Sequence, residues 1–146
     1  MTSGFGEGST PLNAFDAALL CAGVGDTNLI KLSSILPPAA IEIQTYKFPK
    51  GSMVPLAYGE LTASQSGATI AAAVAVGIPE DPNEAGLIME CSHIGSAQAC
   101  ETAAREMVRE GMEIIRGRSI REIRSISVSH VVERVGAVFA AVVLCP

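Results

Sequence analysis

The sequence predicts an α+β layered sandwich, built from two helices and about seven strands in one domain. Most strand candidates follow one another through short connections, which is typical of antiparallel pairing. The two helical segments stand apart, one near the amino terminus and one in the second half. A chain of 146 residues can bury roughly 68–70% of its unfolded surface as a single domain.

The composition bounds the function. Hydrophobic residues make up 49% of the chain and charged residues 17%, so we expect part of the surface to be buried against other copies. The net charge of −5 argues against nucleic-acid binding and fits a cationic ligand. The longest apolar tract, 135–144, is too short for a membrane span of ~20 residues. The start of the chain has no basic, apolar leader, and these features predict a soluble cytoplasmic protein with no membrane partner.

The cysteines and histidines predict no metal site. The four cysteines form no C-x-x-C pair, and with only two histidines no standard zinc spacing can be assembled. We therefore expect free thiols in a reducing compartment.

Both helices carry start and stop signals. Thr10 is placed as an N-cap, Pro11 as the first helical residue, and Gly23 ends the apolar stripe between them. The clearer helix, 96–116, begins with a capping serine, has one apolar face, and ends before Gly117.

The strands are predicted from alternation, β-branched residues and bounding turns. The segment 41–46 alternates with period two and is expected to be a half-buried strand. The segment 69–78 is rich in alanine, but its valines and the bounding Gly67 and Pro79 favour a strand. Residues 2–9 are rich in glycine and serine and are predicted to be mobile. The strand candidates are 28–35, 41–46, 53–63, 69–78, 85–91, 123–132 and 136–145.

Two adjacent serines, Ser33 and Ser34, lie at the end of the first strand candidate, just before Pro37 and Pro38. A serine hydroxyl can attack the preceding carbonyl and convert the amide into an ester. Elimination and hydrolysis of that ester leave an amino-terminal pyruvoyl group and release ammonia. Such a step needs a restrained backbone and a donor for the oxyanion, and the prolines restrain the chain. Taken alone, the pair is far from specific for self-cleavage, and ordinary structural serines are the expected interpretation.

Five blocks extend this observation along the chain: TPLNAFD at 10–16, AGVGDTNL at 22–29, SSILPP at 33–38, GSMVPLAY at 51–58 and GLIME at 86–90. In this order they resemble the pyruvoyl-dependent arginine decarboxylases. The resemblance runs from about Ser9 almost to the carboxyl terminus. It implies a proenzyme that cuts itself between Ser33 and Ser34 into a β chain of residues 1–33 and an α chain of residues 34–146. It also implies an αββα sandwich with mainly antiparallel sheets, assembled as a homo-trimer with sites between subunits.

The resemblance also assigns roles to single residues. Ser34 becomes the pyruvoyl group, Asn28 stabilises the oxyanion of cleavage, Glu90 protonates the decarboxylated carbon, and Asp16 helps to hold a guanidinium. Without the resemblance, Glu90 would be interpreted as an exposed glutamate at the end of a strand, and Asp16 as an ordinary aspartate on a helix surface. Glu90 follows an apolar strand, where burial would favour the protonated acid that a proton donor needs.

The position of Asn28 raises a geometric question. In a straight strand its side chain would lie ~20 Å from Ser34, at 3.3 Å per residue. Either the backbone bends sharply between them, or Asn28 acts on the serines of a neighbouring subunit. We favour the second arrangement, which makes oligomerisation necessary for cleavage.

The function expected from the resemblance is decarboxylation of L-arginine to agmatine and CO2, which suits polyamine synthesis or acid resistance. The covalent pyruvoyl group from Ser34 would accept the electrons, as pyridoxal phosphate does elsewhere, so no metal or pyridoxal phosphate is expected. One alternative is the same chemistry on histidine or ornithine. Another is an uncleaved, catalytically silent trimer that binds a small cation or a partner. A third is kinship of fold without shared chemistry.

Overall fold

The computed structural model describes residues 1–145 as two four-stranded sheets and two α-helices. The sheet orders are β1-β8-β4-β2 and β3-β6-β5-β7, and every strand pair is antiparallel except β2 with β4. The α+β class with mainly antiparallel sheets is therefore confirmed. The elements are β1 Thr2–Glu7, α1 Pro11–Cys21, β2 Asn28–Lys31, β3 Ile35–Leu36, β4 Met53–Ala63, β5 Thr69–Pro79, β6 Gly86–Ile94, α2 Ala97–Arg109, a π-helical turn Glu110–Ile115, β7 Ile120–Val131 and β8 Gly136–Val143.

The layers follow the order helix, sheet, sheet, helix. Helix α1 packs on the outer face of the first sheet through a cluster that includes Ala18 and Phe139. Helix α2 packs on the outer face of the second sheet through Cys100, Ala104 and Val108. A third apolar cluster lies between the sheets. None of the helices in residues 1–145 has the length and hydropathy needed to span a bilayer.

The alanines of β5 are explained by its place at the centre of the second sheet. Alternate alanines, among them Ala73, face α2, while residues such as Val74 face the other sheet. A Cβ at Gly77 would lie 2.6 Å from Val108 Cγ1. Small side chains therefore let α2 approach the strand closely, and the predicted strand 69–78 is confirmed.

The helix boundaries agree with the capping signals. Thr10 Oγ1 accepts a hydrogen bond from Asn13 N at 3.2 Å, and Ser96 Oγ accepts one from Ala99 N at 3.1 Å. Gly117 has a φ of 64°, a left-handed conformation that suits a helix end. The second predicted helix is confirmed in extent, although its last turn is π-helical.

The predicted mobile segment 2–9 is wrong, because residues 2–7 form β1 and pair with β8. The glycines are a packing surface for α1. A Cβ at Gly4 would lie 2.3 Å from Ala18 O, and one at Gly6 would lie 2.5 Å from Ala17 Cβ. Any side chain on this face would push the helix away from the sheet.

The predicted half-buried strand at 41–46 is also wrong. These residues form no strand, and Ile41 is 84% exposed. Ala40 N donates to Pro37 O at 3.3 Å, and Ala39 has a φ of 56°. The chain therefore turns just after β3 instead of extending it. The alternation does not separate a buried face from an exposed one, because Ile41, Glu42 and Ile43 all line a cavity of about 690 Å³.

The Glu7 carboxylate holds the turn between β7 and β8. Its oxygens accept hydrogen bonds from His130 Nε2 at 2.7 Å and from the backbone N–H groups of Glu133, Arg134 and Val135 at 2.9–3.1 Å. Desolvation opposes the ionised form, but these hydrogen bonds outweigh it and lower the pKa of Glu7 to about 2. The ionised side chain thus ties the end of β1 to a distant turn.

Glu7→Gln should lower the free energy of unfolding at pH 7 by about 2–3 kcal/mol, since an amide cannot accept all four hydrogen bonds. The folded-state pKa of about 2 lies below the ordinary 4.5, so the ionised group contributes fully above pH 4.5. That contribution, on the order of 3 kcal/mol, is lost as the pH falls from 4.5 toward 2. Urea unfolding at fixed protein concentration should show a difference in the free energy of unfolding between variant and wild type. This difference should be smaller at pH 3 than at pH 7. Glu133→Gln, an exposed neighbour, is the control, and a difference that does not change with pH would contradict the assignment.

Candidate active site

The predicted strand 28–35 is broken at the serine pair. Residues 28–31 form β2 in the first sheet, whereas residues 35–36 form β3 in the second. The chain therefore crosses between the sheets at 32–34. Ser34 has a φ of 68°, a left-handed conformation that costs a non-glycine residue roughly 1–3 kcal/mol. Its carbonyl accepts a hydrogen bond from Ile88 N at 2.8 Å, which anchors it to β6.

The crossing brings Ser34 to Glu90, which is 56 residues further along the chain. Ser34 Oγ donates to the carboxylate, with distances of 3.0 Å to Oε1 and 3.1 Å to Oε2. Both residues are partly buried. Glu90 lies on the face of β6 that is directed at the first sheet, two residues after the fully buried Ile88.

Gly59 on β4 makes room for this carboxylate. A Cβ at Gly59 would lie 3.3 Å from Glu90 Cβ and 3.1 Å from Cys91 O. Even an alanine would therefore crowd the strand that carries Glu90. The sequence analysis missed this residue, although a glycine inside a strand is a signal of close backbone approach.

This arrangement can orient and restrain a hydroxyl. The carboxylate of Glu90 accepts the hydrogen bond of Ser34 Oγ and so fixes the position of a potential nucleophile. The strained φ and the hydrogen bond to Ile88 N hold the residue in place. A pyruvoyl group formed from Ser34 fits here, because the carbonyl of Ser34 is already held by Ile88 N and the carboxyl group of Glu90 lies beside its side chain.

Asn28 faces a different part of the chain. Its Nδ2 donates to Gly51 O at 2.8 Å, and its backbone N donates to Ser52 O at 2.8 Å. The loop that carries these carbonyls is pinned by an ion pair of 2.9 Å between Lys50 and Asp26. The chain leaves the first sheet between Asn28 and Ser34, and the Asn28 amide bonds Gly51 rather than the serines of its own chain.

Asp16 and Ser33 are both exposed. Within residues 1–145, the Asp16 side chain on α1 has no hydrogen bond or ion pair. The structure thus joins Ser34 to Glu90 within one chain and leaves Asn28 and Asp16 apart from them. The Ser52 hydroxyl, also missed from the sequence, is buried without a partner among the described residues.

The cavity of about 690 Å³ is not at this site. It lies under residues 39–43 and is lined by residues such as Leu36, Val142 and Arg124, but not by Ser34 or Glu90. The reactive pair therefore lies outside this cavity.

Comparisons with known proteins identify the family of this chain. The sequence model of the family described as pyruvoyl-dependent arginine decarboxylase (PvlArgDC) matches residues 1–146. A protein of Methanococcus maripaludis strain C7 named pyruvoyl-dependent arginine decarboxylase is 46% identical over 144 residues, which cover 99% of this chain and 87% of the relative. Its namesake from Methanocaldococcus jannaschii is 47% identical with the same coverage. The namesake from Pyrococcus abyssi is 39% identical over 149 aligned positions, covering 100% of this chain and 93% of the relative. This chain therefore belongs to the pyruvoyl-dependent arginine decarboxylase family.

Proposed function

We propose that this protein cleaves itself between Ser33 and Ser34 and then decarboxylates L-arginine to agmatine and CO2. The observation that carries the proposal is the strained Ser34, whose hydroxyl lies 3.0 Å from the Glu90 carboxylate in a chain of this family.

Cleavage begins when Ser34 Oγ attacks the carbonyl carbon of Ser33. The C–N bond breaks as the ester C–O bond forms, and the hydroxyl proton passes to the nitrogen of Ser34. Loss of the Ser34 α-proton then breaks the bond from Cβ to the ester oxygen and frees the Ser33 carboxylate. Water hydrolyses the remaining enamine, releases ammonia, and leaves a pyruvoyl group on an α chain of residues 34–146.

In turnover, the pyruvoyl group supplies the electron sink for decarboxylation. Glu90 already lies beside the Ser34 side chain, so its acid form can return a proton to the decarboxylated carbon. Asp16 is the acceptor for the guanidinium, since a carboxylate can take two parallel hydrogen bonds from that planar group.

The active assembly is a homo-trimer with sites between subunits. Two features support it: β2 is an edge strand, and the outer edge of β6 is unpaired beyond Ile88 among residues 1–145. Exposed apolar side chains, Ile30, Ile35 and Met53, lie on or beside the edge strands. In this assembly Asn28 and Asp16 serve the serine pair of a neighbouring subunit. The free thiols of all four cysteines support a reducing, cytoplasmic location.

The denatured mass of the purified protein tests cleavage, and a substrate panel tests turnover. We expect two chains, 1–33 and 34–146, the larger lighter by one ammonia than a chain that starts with serine. CO2 release from arginine should exceed release from histidine or ornithine. An intact chain that stays uncut would favour the silent trimer, and faster turnover of histidine or ornithine would favour the alternative substrates.

Asp16→Asn should raise the KM for arginine roughly 10–100-fold, because a hydrogen-bonded charge contributes about 1.5–3 kcal/mol. Cleavage should proceed as in wild type, which the denatured mass checks. Glu106→Gln, which removes an exposed charge on α2, is the control. An unchanged KM for the Asp16 variant would remove Asp16 from the guanidinium site.

A further inference from the structure

Cys91, His93 and Cys100 form a cluster that decarboxylation does not use. Their ligand atoms all lie within 4.8 Å of one another. Cys91 packs with the apolar cluster beneath α2, so the group lies on the opposite face of β6 from Glu90. Cys100 is fully buried, while Cys91 and His93 are partly exposed.

The fold explains why these residues meet although their spacing is not a standard metal motif. Cys91 and His93 are two apart on β6, so both side chains leave the same face of the sheet. Helix α2 begins three residues after β6 and folds back over it. Cys100, near the start of α2, thereby comes to lie above the strand, and its Sγ donates to Cys91 O at 3.0 Å.

The donor set suits a thiophilic divalent cation. Two thiolates and one imidazole are preferred zinc ligands, with Zn–S of about 2.3 Å and Zn–N of about 2.0–2.1 Å. Tetrahedral ligands at those lengths lie about 3.4–3.8 Å apart, and ligand atoms that lie within 4.8 Å of one another can reach that spacing by side-chain rotation. His93 Nε2 lies 3.2 Å from Ser96 O. A proton donated there orients the ring and leaves the Nδ1 lone pair for a metal, as is common for ligating histidines.

We propose that Cys91, His93 and Cys100 bind one zinc ion, with water as the fourth ligand. The two thiolates balance the charge of the ion, which permits its burial beside α2. This site goes beyond the proposed decarboxylase chemistry and does not depend on it.

Cobalt(II) titration of the reduced, metal-free protein tests the site without any measurement of turnover. We expect the thiolate-to-cobalt charge-transfer band and the visible bands of a tetrahedral site, saturating at one equivalent and abolished by added zinc. Cys91→Ser and His93→Gln should each weaken zinc binding, measured by competition with a chromophoric chelator. Because each variant removes a direct ligand, the loss of affinity should exceed the roughly 10–100-fold that is typical when only an outer-shell contact is lost. Cys21→Ser removes an exposed thiol at the end of α1 and should bind like wild type.

Because a change at buried Cys100 can disturb folding, His93→Gln at a partly exposed position is the decisive variant. Its circular dichroism spectrum and oligomeric state should match those of wild type. Absence of the charge-transfer band in wild type would overturn the proposal. Full retention of the band in both His93→Gln and Cys91→Ser would also overturn it.

Discussion

Ser34→Ala should leave the chain uncut and abolish arginine turnover. The methyl group cannot attack the Ser33 carbonyl, so no ester forms and no pyruvoyl group can follow. The hydrogen bond to Glu90 is also lost. Denatured mass after long incubation should show only the intact chain, and CO2 release from arginine should fall to background.

Ser33→Ala is the matched control for this variant. It keeps the attacking hydroxyl of Ser34 and the carbonyl that is attacked, and it changes only an exposed side chain. It should therefore still be cut at the same bond. If Ser34→Ala were cut, or if Ser33→Ala alone stayed intact, the assignment of the nucleophile would be wrong.

Glu90→Gln should separate cleavage from turnover. The amide oxygen can still accept the hydrogen bond from Ser34 Oγ, so the serine stays oriented and the chain should still be cut. The amide has no acidic proton to return to carbon, and loss of a positioned acid costs typically 10²–10⁴-fold in rate. We expect kcat to fall by that factor, while the mass shows both chains.

Glu60→Gln is the control, because Glu60 is an exposed carboxylate on β4 next to Gly59. Its kcat should match that of wild type. A Glu90→Gln enzyme that turns over arginine at the wild-type rate would exclude Glu90 as the proton donor. Failure of cleavage in that variant would instead show that the carboxylate acts before the pyruvoyl group exists.

Local signals predicted the elements whose cause is local. Thr10 and Ser96 cap their helices because capping depends only on residues within one turn. The strand 69–78 was recognised from its valines and its bounding residues. By contrast, the glycines of β1 resemble a mobile segment until α1 is placed on top of them. These glycines are needed because α1 lies very close to β1, and that distance cannot be inferred from the local sequence.

The site divides in the same way. The resemblance named Ser34 and Glu90, but only the fold shows that their side chains are in contact across 56 residues. The left-handed φ of Ser34 had no sequence signal, because glycine is the residue that commonly adopts a positive φ and serine is not. The cluster of Cys91, His93 and Cys100 was not predicted from the sequence, because the packing of a helix on a strand brings the three residues together and no short motif marks them.

The order of the first sheet, β1-β8-β4-β2, gives the proposed cut a mechanical meaning. Its two outer strands, β1 and β2, both precede Ser34, whereas the two central strands follow it. Once the bond is broken, residues 1–33 become a separate peptide that pairs with the large chain at both edges of one sheet. Helix α1, which joins the two edge strands, packs across the face of that sheet. The hydrogen bonds of the Glu7 carboxylate then hold the small chain to the large chain. The cut therefore frees a new chain end at the site without releasing the piece that was cut away.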